Sequence, residues 1–361
     1  MARRGGVGTQ PGLPIEEATT IPASWYFDAE HHREEVGRVF ARTWQQVARA
    51  EQLRNTGDHV VSEVAGEPMV AVRGRDGKLR AFHNVCRHRA GVVVRGHGCS
   101  KAWSCTYHGW TYGLDGALLA APEMEGVRNF DKREFGLVPV SCDSWGPYVF
   151  VNLDHRAPPL LEALGSLPRL AGKHGLHRMP FGCREVYTVA CNWKVYIDNY
   201  LEGYHIPKAH PGLHKVIDYR RYTVTHEGNA VTQGAPDRAR GSRADSEGYL
   251  YLWLFPNFMV NLSPDYAQTN LIVPMGPETT SCIFDYYFEE KAGKAEARRR
   301  KKSIAWSDEI QREDIWLCEA VQKNLHSRSY STGRYSAKRE GGVHHFHEML
   351  RRMLGAPAPD G

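Results

Sequence analysis

Hydrophobic positions along this chain change their period several times, and each change predicts a change of element. Residues 28–50 (DAEHHREEVGRVFARTWQQVARA) carry helix-type periodicity with acidic residues early, as an amphipathic helix should. Residues 59–74 (HVVSEVAGEPMVAVRG) alternate and break at Gly-Glu-Pro, which predicts a β-hairpin, and strand-like segments continue to about 153. Residues 160–176 are helical in pattern. Over 184–200 strand alternation passes into a helix that is expected to run on through the next motif. The stretch 233–248 (QGAPDRARGSRADSEG) cannot bury a core and is expected to be a surface excursion. Strands resume at YLYLWLFPNFMVNL, LIVPMG and CIFDYYFEE, and 293–325 reads as one long helix. The pattern is an all-β module set into an α+β domain built from both flanks.

Composition narrows the class. A length of 361 residues predicts about two domains. Hydrophobic residues at 42% and charged residues at 24% exclude a disordered or collagen-like chain. No run approaches the ~20 apolar residues of a membrane-spanning helix. Two arginines near the start have no apolar region behind them, so no secretory signal is expected and the cytoplasm is the expected location. A net charge of +5 is too small to argue for nucleic acid, and the run Arg298–Lys302 reads as a solvated helix face. Eight cysteines are too sparse for a disulfide scaffold. Cys142, Cys183, Cys191, Cys282 and Cys318 stand without metal-type spacing and read as small core residues. Cys99, two after His97, has no second pair to complete a site.

Two cysteines differ from these. Cys86 and His88 form C-x-H, Cys105 and His108 form C-x-x-H, and sixteen residues separate the pairs. Two thiolates and two imidazoles on paired loops can hold a metal unit. Structural zinc is one possibility, since Cys₂His₂ is a common zinc set. Against it, Gly109-Trp110 follows His108 in a strand-rich region that lacks the helix of a nucleic-acid-reading finger. The match C-R-H-R-(15)-C-T-Y-H-G-W resembles the Rieske proteins, in which Cys₂ holds one iron of a [2Fe–2S] cluster and His₂ the other.

A second constellation lies in CNWKVYIDNYLEGYHIPKAHPGL. His205 and His210 are five apart, with Glu202 three before His205. Two histidines and a distant carboxylate make the facial triad of non-haem Fe(II) oxygenases. With the Rieske signature upstream, N-W-K-x₄-N-Y-x-E-x-Y-H-x₄-H resembles the catalytic domain of Rieske non-haem iron oxygenase α-subunits, the ring-hydroxylating family. The resemblance covers nearly the whole chain. It implies that both histidines bind the mononuclear iron with an aspartate more than a hundred residues later. Asp308, Glu309, Glu313, Asp314 and Glu319 are the candidates, and E-D-I-x-L-C-E-x-V-Q points to Asp314. On a helix Asp314 would share an apolar face with Ile310, Leu317, Cys318 and Val321, where a carboxylate needs a cation. Glu313 and Glu319 are expected to face water or pair locally, and His344, His345 and His347 to be packing and surface residues.

The implied fold is α+β: an all-β Rieske domain (45–155) inserted in a helix-on-antiparallel-sheet, helix-grip catalytic domain made of 1–44 and 156–361. The implied activity is mono- or dioxygenation of a small molecule at Fe(II). Electrons would come from NAD(P)H through a separate flavin/iron–sulfur reductase or a ferredoxin, because no G-x-G-x-x-G follows a strand here. Glu202 would bridge His108 and His205 across subunits, implying a head-to-tail homotrimer. An electron-transfer Rieske protein without catalysis is the competing class.

Substrate is the finest expectation. Period-two alternation puts Trp253, Phe255, Asn257, Met259 and Asn261 on one face with Tyr251, as candidate substrate-binding residues. The segment, with D-N-Y-L-E-G-Y-H, is similar to oxygenases of quaternary ammonium compounds such as choline, glycine betaine, carnitine and stachydrine. Aromatic faces attract a methylated ammonium. N-methyl hydroxylation followed by demethylation is the implied outcome. A ring-hydroxylating dioxygenase of an aromatic acid is the alternative.

Overall fold

The computed structural model describes residues 12–238, 248–264, 266–291 and 293–355. They separate into two compact units, one of Phe40–Ala163 and one drawn from both flanks. Helix α1 (Ala29–Arg38) opens the flanking unit, capped by the Asp28 carboxylate, which accepts from the Glu30 and His31 amides at 2.8 and 2.9 Å. The helix expected over 28–50 stops at Arg38. Gln45–Arg49 instead forms strand β1, because it finds an antiparallel partner in Tyr148–Asn152, and tertiary pairing overrides local period.

In the first unit β2 (Asp58–Val64) and β3 (Glu67–Arg73) form the expected hairpin. Its turn is Ala65-Gly66, both at positive φ, so Glu67-Pro68 already lies in the strand. There follow β4 (Leu79–His83), β5 (Gly98–Cys99), β6 (Trp103–Ser104), β7 (Thr111–Tyr112), β8 (Leu118–Ala120), β9 (Pro139–Trp145) and β10 (Tyr148–Asn152). They make a seven-stranded sheet in the order β1-β10-β9-β4-β3-β2-β5 and a small sheet β6-β7-β8.

Short helices α2 (Leu160–Leu164) and α3 (Leu167–Lys173) precede β11 (Phe181–Val189), α4 (Trp193–Tyr200), α5 (Ile206–Ala209) and α6 (Pro211–Val216). Strands β12 (Thr223–Glu227), β13 (Ala230–Ala235), β14 (Tyr249–Leu254), β15 (Phe258–Leu262), β16 (Tyr266–Gly276) and β17 (Thr279–Phe288) complete a second seven-stranded sheet, β11-β17-β16-β15-β14-β13-β12, antiparallel throughout. Helix α7 (Lys294–Leu325) packs on α4 and β11, α4 also on β16, and α8 (Gly341–Gly355) on β12. The surface loop expected over 233–248 is in part strand, since 233–235 close β13; residues 239–247 lie outside the described residues. Among the described residues no helix is long and apolar enough to cross a membrane.

Helix α4 is anchored by a buried charge pair. Lys194 Nζ lies 2.5 Å from Glu35 Oε1 with both side chains fully buried, and Trp193 Nε1 donates to Glu35 Oε2 at 2.8 Å. Burial pulls the Lys194 pKa down and would raise that of Glu35, but Lys194, His31 and His32 hold the Glu35 carboxyl far below the usual range. The direction that governs stability is that of Glu35, an anion with no solvent to replace its cation. Lys194→Met is therefore expected to destabilise the fold by about 3–5 kcal/mol, and adding Glu35→Leu to recover most of that loss. Denaturant midpoints of the two variants check both signs.

Candidate active site and metal centres

The two ligand-bearing loops of the first unit are built alike. The Cys86 amide donates to the Gly91 carbonyl and the Cys105 amide to the Trp110 carbonyl, each at 2.8 Å. In return the Cys86 carbonyl accepts from Ala90 and the Cys105 carbonyl from Gly109, both residues at positive φ. Each turn thus projects a cysteine inward, and both sulfurs are buried. The His88 and His108 rings lie 4.6 Å apart, and His88 is stacked on Trp110 at 4.9 Å. Its Nδ1 is buried without a protein partner. Tyr112 Oη sits 3.3 Å from Cys86 Sγ and accepts from the Arg87 amide. A Cβ on Gly91 would come within 2.8 Å of Cys105 Sγ, so glycine is required there. Two buried cysteines on matching turns and two neighbouring imidazoles, one with an unpartnered nitrogen, fit an iron–sulfur unit.

In the second unit the helix from Trp193 does not continue through the histidines as expected. It stops at Tyr200, and Gly203 follows because a Cβ there would strike the Tyr222 ring at 2.7 Å. Pro207 and Pro211 then restart the chain as two short helices, tolerated in a first turn where no amide bond is lost. His205 caps one end of α5 and His210 the other. On a continuous helix, side chains five apart would point about 140° from each other. The break lets them converge: His205, His210 and Asp314 each offer a ligand atom within 4.8 Å of the others. Asp314 Oδ1 is 3.0 Å from His210 Nε2 and 3.8 Å from His205 Nε2, and accepts from Asn199 Nδ2 at 2.7 Å.

Each imidazole has a carboxylate on its other nitrogen. His205 Nδ1 meets Glu202 Oε1 at 2.5 Å, and His210 Nδ1 meets Glu313 Oε2 at 2.6 Å. Glu202 is thus in the turn after α4, not on one helix with His205, and its second oxygen accepts from the Tyr204 and His205 amides. Glu313, expected to face water or pair locally, is half-buried and holds a ring of the metal cluster. Glu319 accepts from the Ala190 amide. Burial alone would lower the His210 pKa; Asp314 and Glu313 more than reverse this and raise it to about 9. The site attracts positive charge.

Asp314 does not share an apolar face with Val321, which is exposed; the buried stripe of α7 is Ser307, Gln311, Cys318, Gln322 and Leu325. Nor is His347 only packing: it is buried and bonded to Asp198 and Tyr335.

A cavity opens on this cluster. One wall is a single row across the sheet, in which Gln233, Tyr251, Asn261 and Gln268 are successive cross-strand partners on β13 to β16. Tyr200, Tyr222, Tyr249, Tyr266 and Trp306 supply aromatic surface, with Tyr200 and Tyr251 edge to face at 6.4 Å. Burial pushes the phenols of Tyr200, Tyr222 and Tyr251 up, so these rings are neutral. Of the five residues expected to touch substrate, only Asn261 lines the cavity. Trp253 and Met259 share its face one pair further along the hairpin, where Trp253 packs on Phe346 at 5.5 Å. Phe255 and Asn257 fall in the turn around the cis Phe255–Pro256 bond, where alternation lapses; Asn257 donates to the Ile272 carbonyl. The sequence reading missed Gln233, Gln268 and Gln311, which carry no motif and are found only through register.

A family model for the Rieske [2Fe–2S] domain matches residues 43–131, and one for the ring hydroxylating alpha subunit catalytic domain matches 176–356. Chloroplastic choline monooxygenase of Arabidopsis thaliana is 37% identical, over 95% of this chain and 85% of that protein. The carnitine monooxygenase oxygenase subunit of Escherichia coli K12 is 37% identical, over 94% and 95%. A solved quaternary ammonium Rieske monooxygenase, described for carnitine oxidation and inter-subunit electron transfer, superposes with a TM-score of 0.84 at 30% identity, covering 94% of this chain and 96% of that one. This chain belongs to the Rieske non-haem iron oxygenases, as an α-subunit of the ring-hydroxylating family. It is an enzyme with a Rieske cluster and a mononuclear iron, served by a reductase or ferredoxin. The zinc and electron-carrier alternatives fall with these matches.

Because a carboxylate on the outer nitrogen of a ligating histidine strengthens it, Glu313→Ala is expected to weaken ferrous iron binding by about 10–100-fold. Iron titration of the metal-depleted protein, with the visible spectrum of the cluster as an internal control, measures the change.

Proposed function

We propose that this enzyme is the terminal oxygenase of a monooxygenase system for a quaternary ammonium compound of betaine type, hydroxylating an N-methyl carbon. The carrying observation is the cavity, where neutral tyrosine and tryptophan faces close upon His205, His210 and Asp314. Such faces attract a methylated ammonium, which carries no hydrogen-bond donor of its own. The names of the related choline and carnitine monooxygenases support the same class.

In this reading Cys86 and Cys105 hold one iron of the cluster and His88 and His108 the other, while His205, His210 and Asp314 hold the mononuclear iron. When bound, these groups supply electrons singly and activate O₂ at open coordination positions. The chain's residues do the rest. Asn199 and the two Nδ1 carboxylates fix the ligand atoms, the aromatic walls exclude water, and the cavity aims an N-methyl group at the metal. One oxygen atom enters the C–H bond; the other leaves as water with two electrons from NAD(P)H and two protons. The resulting hemiaminal collapses to formaldehyde and the demethylated amine.

Formaldehyde formed in step with NADH oxidation, from a betaine and with a surrogate reductase, is the expected result. Three irons per chain should fall to two in His205→Ala. Coupled turnover of aromatic acids, with none of any ammonium compound, would overturn the reading.

Glu202 is proposed to link the two kinds of centre, one oxygen on His205 and the other, which also accepts from the Tyr204 and His205 amides, reached by His108 of the partner subunit in a head-to-tail homotrimer. Its position on His205 Nδ1 supports this, as does the inter-subunit transfer described for the related structure. Glu202→Gln should keep all metals and lose roughly tenfold or more of product formation. Sedimentation tests the trimer, and full activity in the variant would remove the bridge. A cytoplasmic location completes the proposal; the Arabidopsis relative named above is chloroplastic.

A further inference from the structure

Deep in the cavity wall two carboxamides are left half-used. Gln268 and Gln311 are 3% and 2% exposed, and the Nε2 of each is buried with no protein partner. Their oxygens are occupied: Tyr196 Oη donates to Gln311 Oε1 at 2.6 Å, and Ser307 Oγ donates to Gln268 Oε1 at 3.2 Å. Ser307 in turn accepts from Tyr286 Oη at 3.0 Å, so its own proton is committed to Gln268. Both glutamines therefore present donors only. Buried donors without a partner are rare in folded proteins, and a ligand or an ordered water accounts for most of them.

The two sit together. Ser307 and Gln311 are one turn apart on α7, on the same face, and Gln268 is bonded to Ser307 from the sheet. Gln311 lies one turn before Asp314, and Ser307 about 10 Å from it along the helix axis. Both glutamines line the cavity that Asp314, His205 and His210 also line.

We infer that Gln268 and Gln311 form a subsite for a carboxylate oxygen, so that the substrate is a zwitterionic betaine and not a cationic alcohol. This rests on the ammonium reading above and names the other end of the same molecule. A hydroxyl placed there would find the neighbouring acceptors already taken; a carboxylate needs none. The aromatic faces take the ammonium and the amide N–H groups take the acid.

The test is calorimetric binding to the oxidised holoenzyme of three probes: γ-butyrobetaine, choline and tetramethylammonium. Gln268→Leu and Gln311→Leu should each weaken γ-butyrobetaine roughly tenfold, the scale of one hydrogen bond to a charged group, and move the other two by less than about twofold. Gln311→Glu, nearly isosteric, should abolish γ-butyrobetaine binding and spare choline, which decides the matter even if a leucine variant loses iron. Equal losses for all three probes, or none, would show that these amides hold only water or structure and would overturn the subsite, leaving the ammonium reading intact. Failure of the unaltered enzyme to bind any of the three removes both.

Discussion

The mononuclear site depends on where helix α4 stops. Asn192 starts the helix, its side chain accepting from the Lys194 amide, and the Lys194–Glu35 pair fixes its orientation in the core. Had it run on, His205 and His210 would have pointed apart. Gly203 gives the chain room against Tyr222, and the two prolines turn the next ten residues into two short helices with a histidine at their shared junction. Asp314 needs no such device. It comes from within a 32-residue helix, and Asn199 from α4 ties it back to the element that places the histidines.

The inner face of α7 follows from the same demand. An aliphatic stripe would pack as well, but it could not set the positions of polar groups around a metal. Ser307, Gln311 and Gln322 instead bond to β16, α4 and the residues preceding α1: Gln322 alone receives the Asn192 amide and donates to Glu278 and to the Tyr26 carbonyl. Such bonds contribute about 1 kcal/mol each when satisfied and cost more when broken. Their benefit is in fixing one register of helix on sheet, which an apolar face leaves loose.

This division decides what could be read from sequence. The Cys86/His88 and Cys105/His108 pairs and the His205/His210 spacing were legible because their partners are close in the chain, and Asp314 because its neighbours repeat a family pattern. The cavity was not. Tyr251 and Trp253 are equivalent by alternation, and only the pairing of Tyr251 with Asn261, against Trp253 with Met259 beneath Phe346, tells which one reaches the open end. Alternation was also carried through Phe255-Pro256-Asn257, where the chain reverses. From sequence Glu313 is expected to face water or pair locally. Here the helix turns it toward the ring of His210, a contact set by the break between α5 and α6.

Charge gives an independent argument for what the cavity accepts. Asp314, Glu202 and Glu313 place three carboxylates on two imidazoles. A divalent ion formally cancels two of the three negative charges. One remains on partly buried side chains, where interactions are screened less than between fully exposed charges. A cationic group beside the metal offsets it, whereas a carboxylate beside the metal would add to it. An aromatic acid would bring its anion into the cavity that Glu202 and Asp314 line. A betaine separates its charges along a chain, so its ammonium can face the acidic end while its carboxylate meets the neutral donors of Gln268 and Gln311. The electrostatics of the metal centre and the hydrogen-bond direction of Gln268 and Gln311, which share no residue, both favour the proposed betaine.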